Sequence, residues 1–172
     1  MSFWIHAFCN RTTTNLTPNN LTAGIKKRLR LLTYLFCPDK EEDPDVVLDR
    51  LRIDDCSKGN TFEEFHIHYD ADRSSFIRIE RCDRGAIVEV DHNVLSTRTE
   101  PGVDNVRELL AQSQEDVSFC LKANDVDSMG FPLAIAAAAF LVEEYGGVIQ
   151  SGCYSWMVPS GREVKILLEI DR

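Results

Sequence analysis

The chain has 172 residues, of which 44% are apolar and 27% charged, and a formal net charge of −9. That length suits one domain with a sizeable core, and that balance is globular rather than disordered. The acidic surplus repels nucleic-acid phosphates and argues against DNA or RNA as a partner.

Taken in chain order, Ser2 to Cys9 (SFWIHAFC) reads as a first strand, apolar on both faces and therefore suited to a central position. Arg11 to Asn20 is a Thr/Asn-rich loop. Thr17-Pro18 opens a helix, with threonine as cap and proline at the first position, and Leu21, Ile25, Leu29, Leu32 and Phe36 recur at helical spacing. Cys37-Pro38 stops it, because a residue before proline avoids the helical region. Asp43-Pro44 repeats the start signal for a short second helix with Val47, Leu48 and Leu51, and Asp54 to Asn60 is expected to be loop. Thr61 to Tyr69 alternates, with Phe65, Ile67 and Tyr69 on one face and Glu64, His66 and His68 on the other. Asp70 to Ser74 turns the chain into a second strand, Ser75 to Cys82. Asp83-Arg84-Gly85 turns it again, and Ala86 to Asp91 is expected to complete a three-stranded meander.

A further helix opens at Thr99-Glu100-Pro101 with the stripe Val103, Val106, Leu109 and Leu110, and Val117 to Leu121 is strand-like. Asp127 or Ser128 then caps an alanine-rich helix that begins near Phe131. This helix is apolar on every side, so it is expected to be buried, and Ala134 and Ala136 to Ala139 let it lie close against a sheet. Its longest apolar run, Phe131 to Val142, is about 12 residues, against the ~20 that cross a bilayer, so no membrane span is expected. Gly146-Gly147 stops the helix and is a C-cap, since it follows a helix where a phosphate loop would precede one. Val148 to Gln150, Tyr154 to Val158 and Val164 to Ile170 are the last strands, with Pro159-Ser160-Gly161 as a tight turn. Strands in consecutive runs between helices predict a single α+β domain over residues 1–172. Its sheet is expected to be largely antiparallel or mixed, with the alanine-rich helix and further helices packed on one side.

Six cysteines occur without a C-x-x-C pair or a cysteine-histidine cluster, and no segment reads as a secretion signal. Buried reduced thiols in a cytoplasmic, reducing setting are the expectation. Serine-nucleophile and phosphate-loop motifs are absent, nothing marks Cys153 as activated, and no cofactor is expected. The basic cluster Lys26-Lys27-Arg28-Arg30 lacks interleaved aromatics and reads as a solvated helix face. Two candidate sites remain. Asp39, Glu41, Glu42, Asp43, Asp45, Asp54 and Asp55 crowd a short window and predict a negative surface for a basic protein partner, although Asp43 and Asp45 also suit a helix N-terminus. Glu64, His66 and His68 share a strand face, with His92 expected just past the third strand of the meander. Together they have the donor types of a zinc or iron site, the alternative being a solvated face in which Arg78 and Glu80 pair with Glu64 and His66 across the strands.

The segment FPLAIAAAAFLVEEYGGVIQSGCYSW resembles a feature of small bacterial immunity proteins: an alanine-rich helix (Ala134 to Ala139), a Tyr-Gly-Gly-Val-Ile stretch (Tyr145 to Ile149) and a strand reaching Trp156. The aromatic SFWIHAF strand is similar. The resemblance implies a cytoplasmic, non-enzymatic protein that neutralises a toxin by binding it, with an acidic surface suited to a basic toxin.

Overall fold

The computed structural model describes residues 2–39, 42–70, 76–152 and 155–170, apart from the side chains at 86, 87, 90, 91 and 94. Strand β1 (Ser2–Cys9) is followed by helices α1 (Pro18–Phe36) and α2 (Pro44–Arg50), then β2 (Arg52–Asp55), β3 (Glu64–His68) and β4 (Ile77–Asp83). Helices α3 (Gly85–Ser96) and α4 (Val103–Gln112) precede β5 (Glu115–Lys122), the single turn α5 (Ala123–Val126) and the alanine-rich α6 (Gly130–Tyr145). Strands β6 (Gly147–Ser151), β7 (Ser155–Ser160) and β8 (Glu163–Glu169) close the chain. Every strand pairing is antiparallel, in one eight-stranded sheet of order β2-β3-β4-β5-β1-β6-β7-β8. The fold is α+β, and β1 is central in it, as its two apolar faces require.

Local signals explain most boundaries. Thr17 caps α1 by accepting from the Asn20 amide at 3.2 Å, and Asp43 caps α2 by accepting from the Asp45 amide at 2.9 Å. Gly146, at φ 74°, ends α6 with its N–H on the Val142 carbonyl at 2.9 Å. Gly147 must be glycine for a second reason besides its φ of 118°: a Cβ there would lie 1.8 Å from the Phe8 carbonyl oxygen.

Three expectations fail. Residues 86–91 form the start of α3, not a third strand. The alternating β-branched residues of AIVEV suit a strand, yet Val88 and Leu95 stand two helical turns apart and pack with Val103, Val106 and Leu110, and that burial overrides local propensity. The third strand of the meander is β2, within a stretch read as loop from Asp54 onward. With one apolar residue, Ile53, it has no detectable period and is held by pairing with β3. The helices also occupy both sides of the sheet. α1 and α6 cover one face, where Ile5, Ala7, Phe65, Ile79, Val117 and Phe119 join the main core. α3 and α4 build a second cluster on the opposite face with Phe8, Val148, Trp156 and Leu168.

On the main face α6 is buried along nearly its whole length, as an all-round apolar helix must be. α1 crosses it at Gly24, where a Cβ would meet the Phe140 ring at 2.2 Å. No helix among the described residues is long and apolar enough to cross a membrane.

Candidate functional site

Alternation along the strands sends a second set of side chains to the face opposite α6. Cross-strand register aligns Asp54, His66, Arg78, Cys120 and Trp4 in one row over β2, β3, β4, β5 and β1. The neighbouring row runs Glu64, Glu80, Ser118, His6, Gln150, Trp156 and Leu168. Toward β8 this face is sealed by the second cluster; toward β2 it is polar and half-exposed. Trp4 marks the transition at 36% exposure, unusual for a large apolar residue on a central strand.

The predicted histidines lie on the polar part. His66 Nε2 is 2.6 Å from Glu64 Oε1, and His68 Nε2 is 3.4 Å from Asp54 Oδ2. Asp54 also accepts from Arg52 Nε at 2.5 Å, and Arg78 pairs with Glu80 at 3.2 Å, so apart from the His68–Asp54 contact across β3 and β2 these pairs run along strands, and Arg78 and Glu80 do not pair with Glu64 and His66. Phe76 stacks on His66 with ring centroids 4.1 Å apart, and Lys122 Nζ stands 5.5 Å above the same ring. The metal reading gains no support from this geometry. His92 lies on α3, not beyond a strand, where with Arg84 and Glu89 it lines a separate depression of about 520 Å³. Among the described residues no group of three or more His, Cys, Asp or Glu side chains is arranged to hold a metal ion.

The acidic window is partly brought together and partly neutralised. Asp45 takes a two-pronged pair from Arg30, one arm at 2.6 Å, and holds the guanidinium pKa above its ordinary value by that hydrogen bond. Glu42 lies 3.8 Å from Arg50, Asp43 is spent on its cap, and Asp55 accepts from the Ser57 amide at 2.9 Å. Asp39 is exposed beyond the end of α1, and Glu41 lies outside the described residues. Asp54 and Asp55 are the members that reach the sheet, on the edge strand β2.

Two features of the site escape a linear reading. His6 Nδ1 meets the Asp116 carboxylate at 3.1 and 3.2 Å, with Asp116 only 1% exposed. Trp4, His6, Phe8 and Trp156 form a stacked aromatic ladder, with successive centroids 6.3, 5.7 and 5.9 Å apart. The signal was the i, i+2 series Trp4-His6-Phe8 within SFWIHAFC, but its carboxylate partner lies 110 residues away. None of the described cysteines is in a disulfide, and burial, with Glu115 and Asp116 nearby, pushes Cys9 far above the ordinary thiol range. Such a thiol is not a nucleophile.

No protein-family model, no curated protein and no solved structure matches this chain.

Proposed function

We propose that the protein is a stoichiometric protein-binding protein, and that the polar sheet face around Trp4 is where a basic partner docks. The observation that carries this reading is the placement of Trp4, exposed on a central strand at the head of a row of Cys120, Arg78, His66 and Asp54. Tryptophan and arginine dominate interface energetics when a partner desolvates them, and a surrounding polar rim excludes water. Asp54 at the β2 edge, with the net charge of −9, favours a basic partner and speeds its encounter. The specific form we propose is that of an immunity-type protein: cytoplasmic, without a catalytic step, occluding a basic toxin by binding it.

The test is affinity capture from the host lysate with the intact chain and with Trp4→Ala, at low and high salt. A single basic protein, retained one-to-one, released by salt and lost with Trp4→Ala, is expected. Capture unaffected by the substitution sinks this face as the interface, and an empty capture sinks the binding reading itself.

A further inference from the structure

The sheet face that packs on α1 and α6 ends in a groove that this reading does not use. Phe3, next to Trp4 on β1, points to that opposite face. With Phe36 from the end of α1, Phe131 from the start of α6, and Met157 and Ile166 from β7 and β8, it walls a cavity of about 310 Å³. Phe131 meets Phe3 and Phe36 edge to face, with centroids 5.8 and 5.6 Å apart. The groove depends on an irregularity of the sheet. A register shift at Trp156/Met157 sets Ile166 opposite Met157 while Glu169 stays opposite Ser155. Both Ile166, 48% exposed, and Glu169 therefore border the same cavity. Two adjoining depressions, of about 230 and 330 Å³, share Val126 with it; Asp127 lines both and Asp39 the larger. No lysine or arginine is among the described residues that line any of the three.

We infer that this groove binds a small organic cation, an ammonium group carried on an aromatic or short aliphatic body. The volume falls at the lower end of small-ligand cavities, roughly 300–1,000 Å³, and far below what a folded partner needs. The aromatic wall takes the apolar body and attracts a cation through its ring quadrupoles. Glu169 at the cavity, with Asp39 on the adjoining depression, favours positive charge there, and a carboxylate ligand of the same shape meets like charge. Nothing in this inference rests on the partner-binding reading, because the two sites lie on opposite faces of β1.

The experiment is calorimetric titration of the full chain with phenethylamine, 2-phenylethanol and 3-phenylpropionate, which share a phenyl body and differ in charge. Saturable one-to-one binding of the amine is expected, with the alcohol weaker by about tenfold and no uptake of the acid. Glu169→Gln is expected to weaken the amine by roughly three- to tenfold and leave the alcohol unchanged. Ile166→Arg, at an exposed position that tolerates exchange, places a fixed cation at the mouth and abolishes amine binding. Trp4→Ala leaves the titration as it was. Equal binding of all three probes, amine binding indifferent to both groove variants, or no saturation by about 10 mM overturns the inference. So does occupation of the groove by a basic peptide while phenethylamine stays unbound.

Discussion

The two faces of the sheet are made from the same strands and obey different rules. On the face under α1 and α6, Ile5, Ala7, Phe65, Ile67, Ile77, Ile79, Val117 and Phe119 are fully buried in one continuous core. On the other, alternate residues of those strands present His66, Arg78, Glu80 and Cys120 half-exposed, and the apolar cluster begins only beyond Trp4. One face contributes stability through volume and close approach. The other carries short ion pairs worth little to the fold, and leaves the buried His68 Nδ1 and Trp156 Nε1 without a partner among the described residues, so it is free to be specialised for recognition. The buried His6–Asp116 pair lies on this second face, where its polar part meets the apolar cluster.

The comparison breaks if substitutions on the two faces cost the same. The largest expected effect is on the helical face: Phe119→Ala leaves a cavity in the main core and is expected to lose about 3–5 kcal/mol in urea unfolding. Gly24→Ala is next, about 1–3 kcal/mol, because the new methyl must displace the Phe140 ring at the α1–α6 crossing. At the boundary, His6→Ala strands a buried carboxylate and is expected to cost about 1–3 kcal/mol. A His6→Ala, Asp116→Asn cycle should recover part of that loss, and strict additivity of the two changes would show that the pair is not coupled.

Glu115 sharpens the comparison through pH. Burial raises its pKa, but hydrogen bonds from the Thr13 amide and hydroxyl, the Thr12 hydroxyl and Arg81, at 2.7 to 3.2 Å, outweigh that and hold it below the usual glutamate value. A carboxylate with a depressed folded pKa adds stability that is present above its unfolded pKa and lost as pH falls through the folded one. Unfolding measured from pH 7 down to pH 2 should therefore show an acid limb that Glu115→Gln flattens, with a loss of about 1 kcal/mol at neutral pH. An unchanged acid limb removes Glu115 as its source. The smallest effect belongs to the polar face, where His66→Ala is expected to stay within about 0.5 kcal/mol of the parent. A loss of several kcal/mol there would make the face structural and undercut its reading as a docking surface.

Much of this architecture was legible residue by residue. The cap-and-proline starts at Thr17 and Asp43, the glycine stop at Gly146 and the alternation of β3 are local, and local chemistry decides them. The buried state of α6 followed from its lack of any polar side. What stayed hidden depends on distant partners. β2 has no pattern of its own and exists because β3 offers a ladder. Residues 86–91 carry a strand-like run of branched residues, and only α4 gives them a reason to be helical. His66 and His68 were correctly placed on one face, but Asp54 became their neighbour through β2, while His92 was carried onto α3.

By itself the sequence determined an acidic α+β domain, its principal helix boundaries, the central aromatic strand and the buried alanine-rich helix, because composition, capping and periodicity act within a few residues. Only the tertiary structure decided that helices occupy both sides of the sheet, that His6 meets Asp116, that Trp4 is left exposed and that a groove opens beside β8. Each of these follows from strand order and register, which align residues as distant in the chain as Ile5 and Ser151.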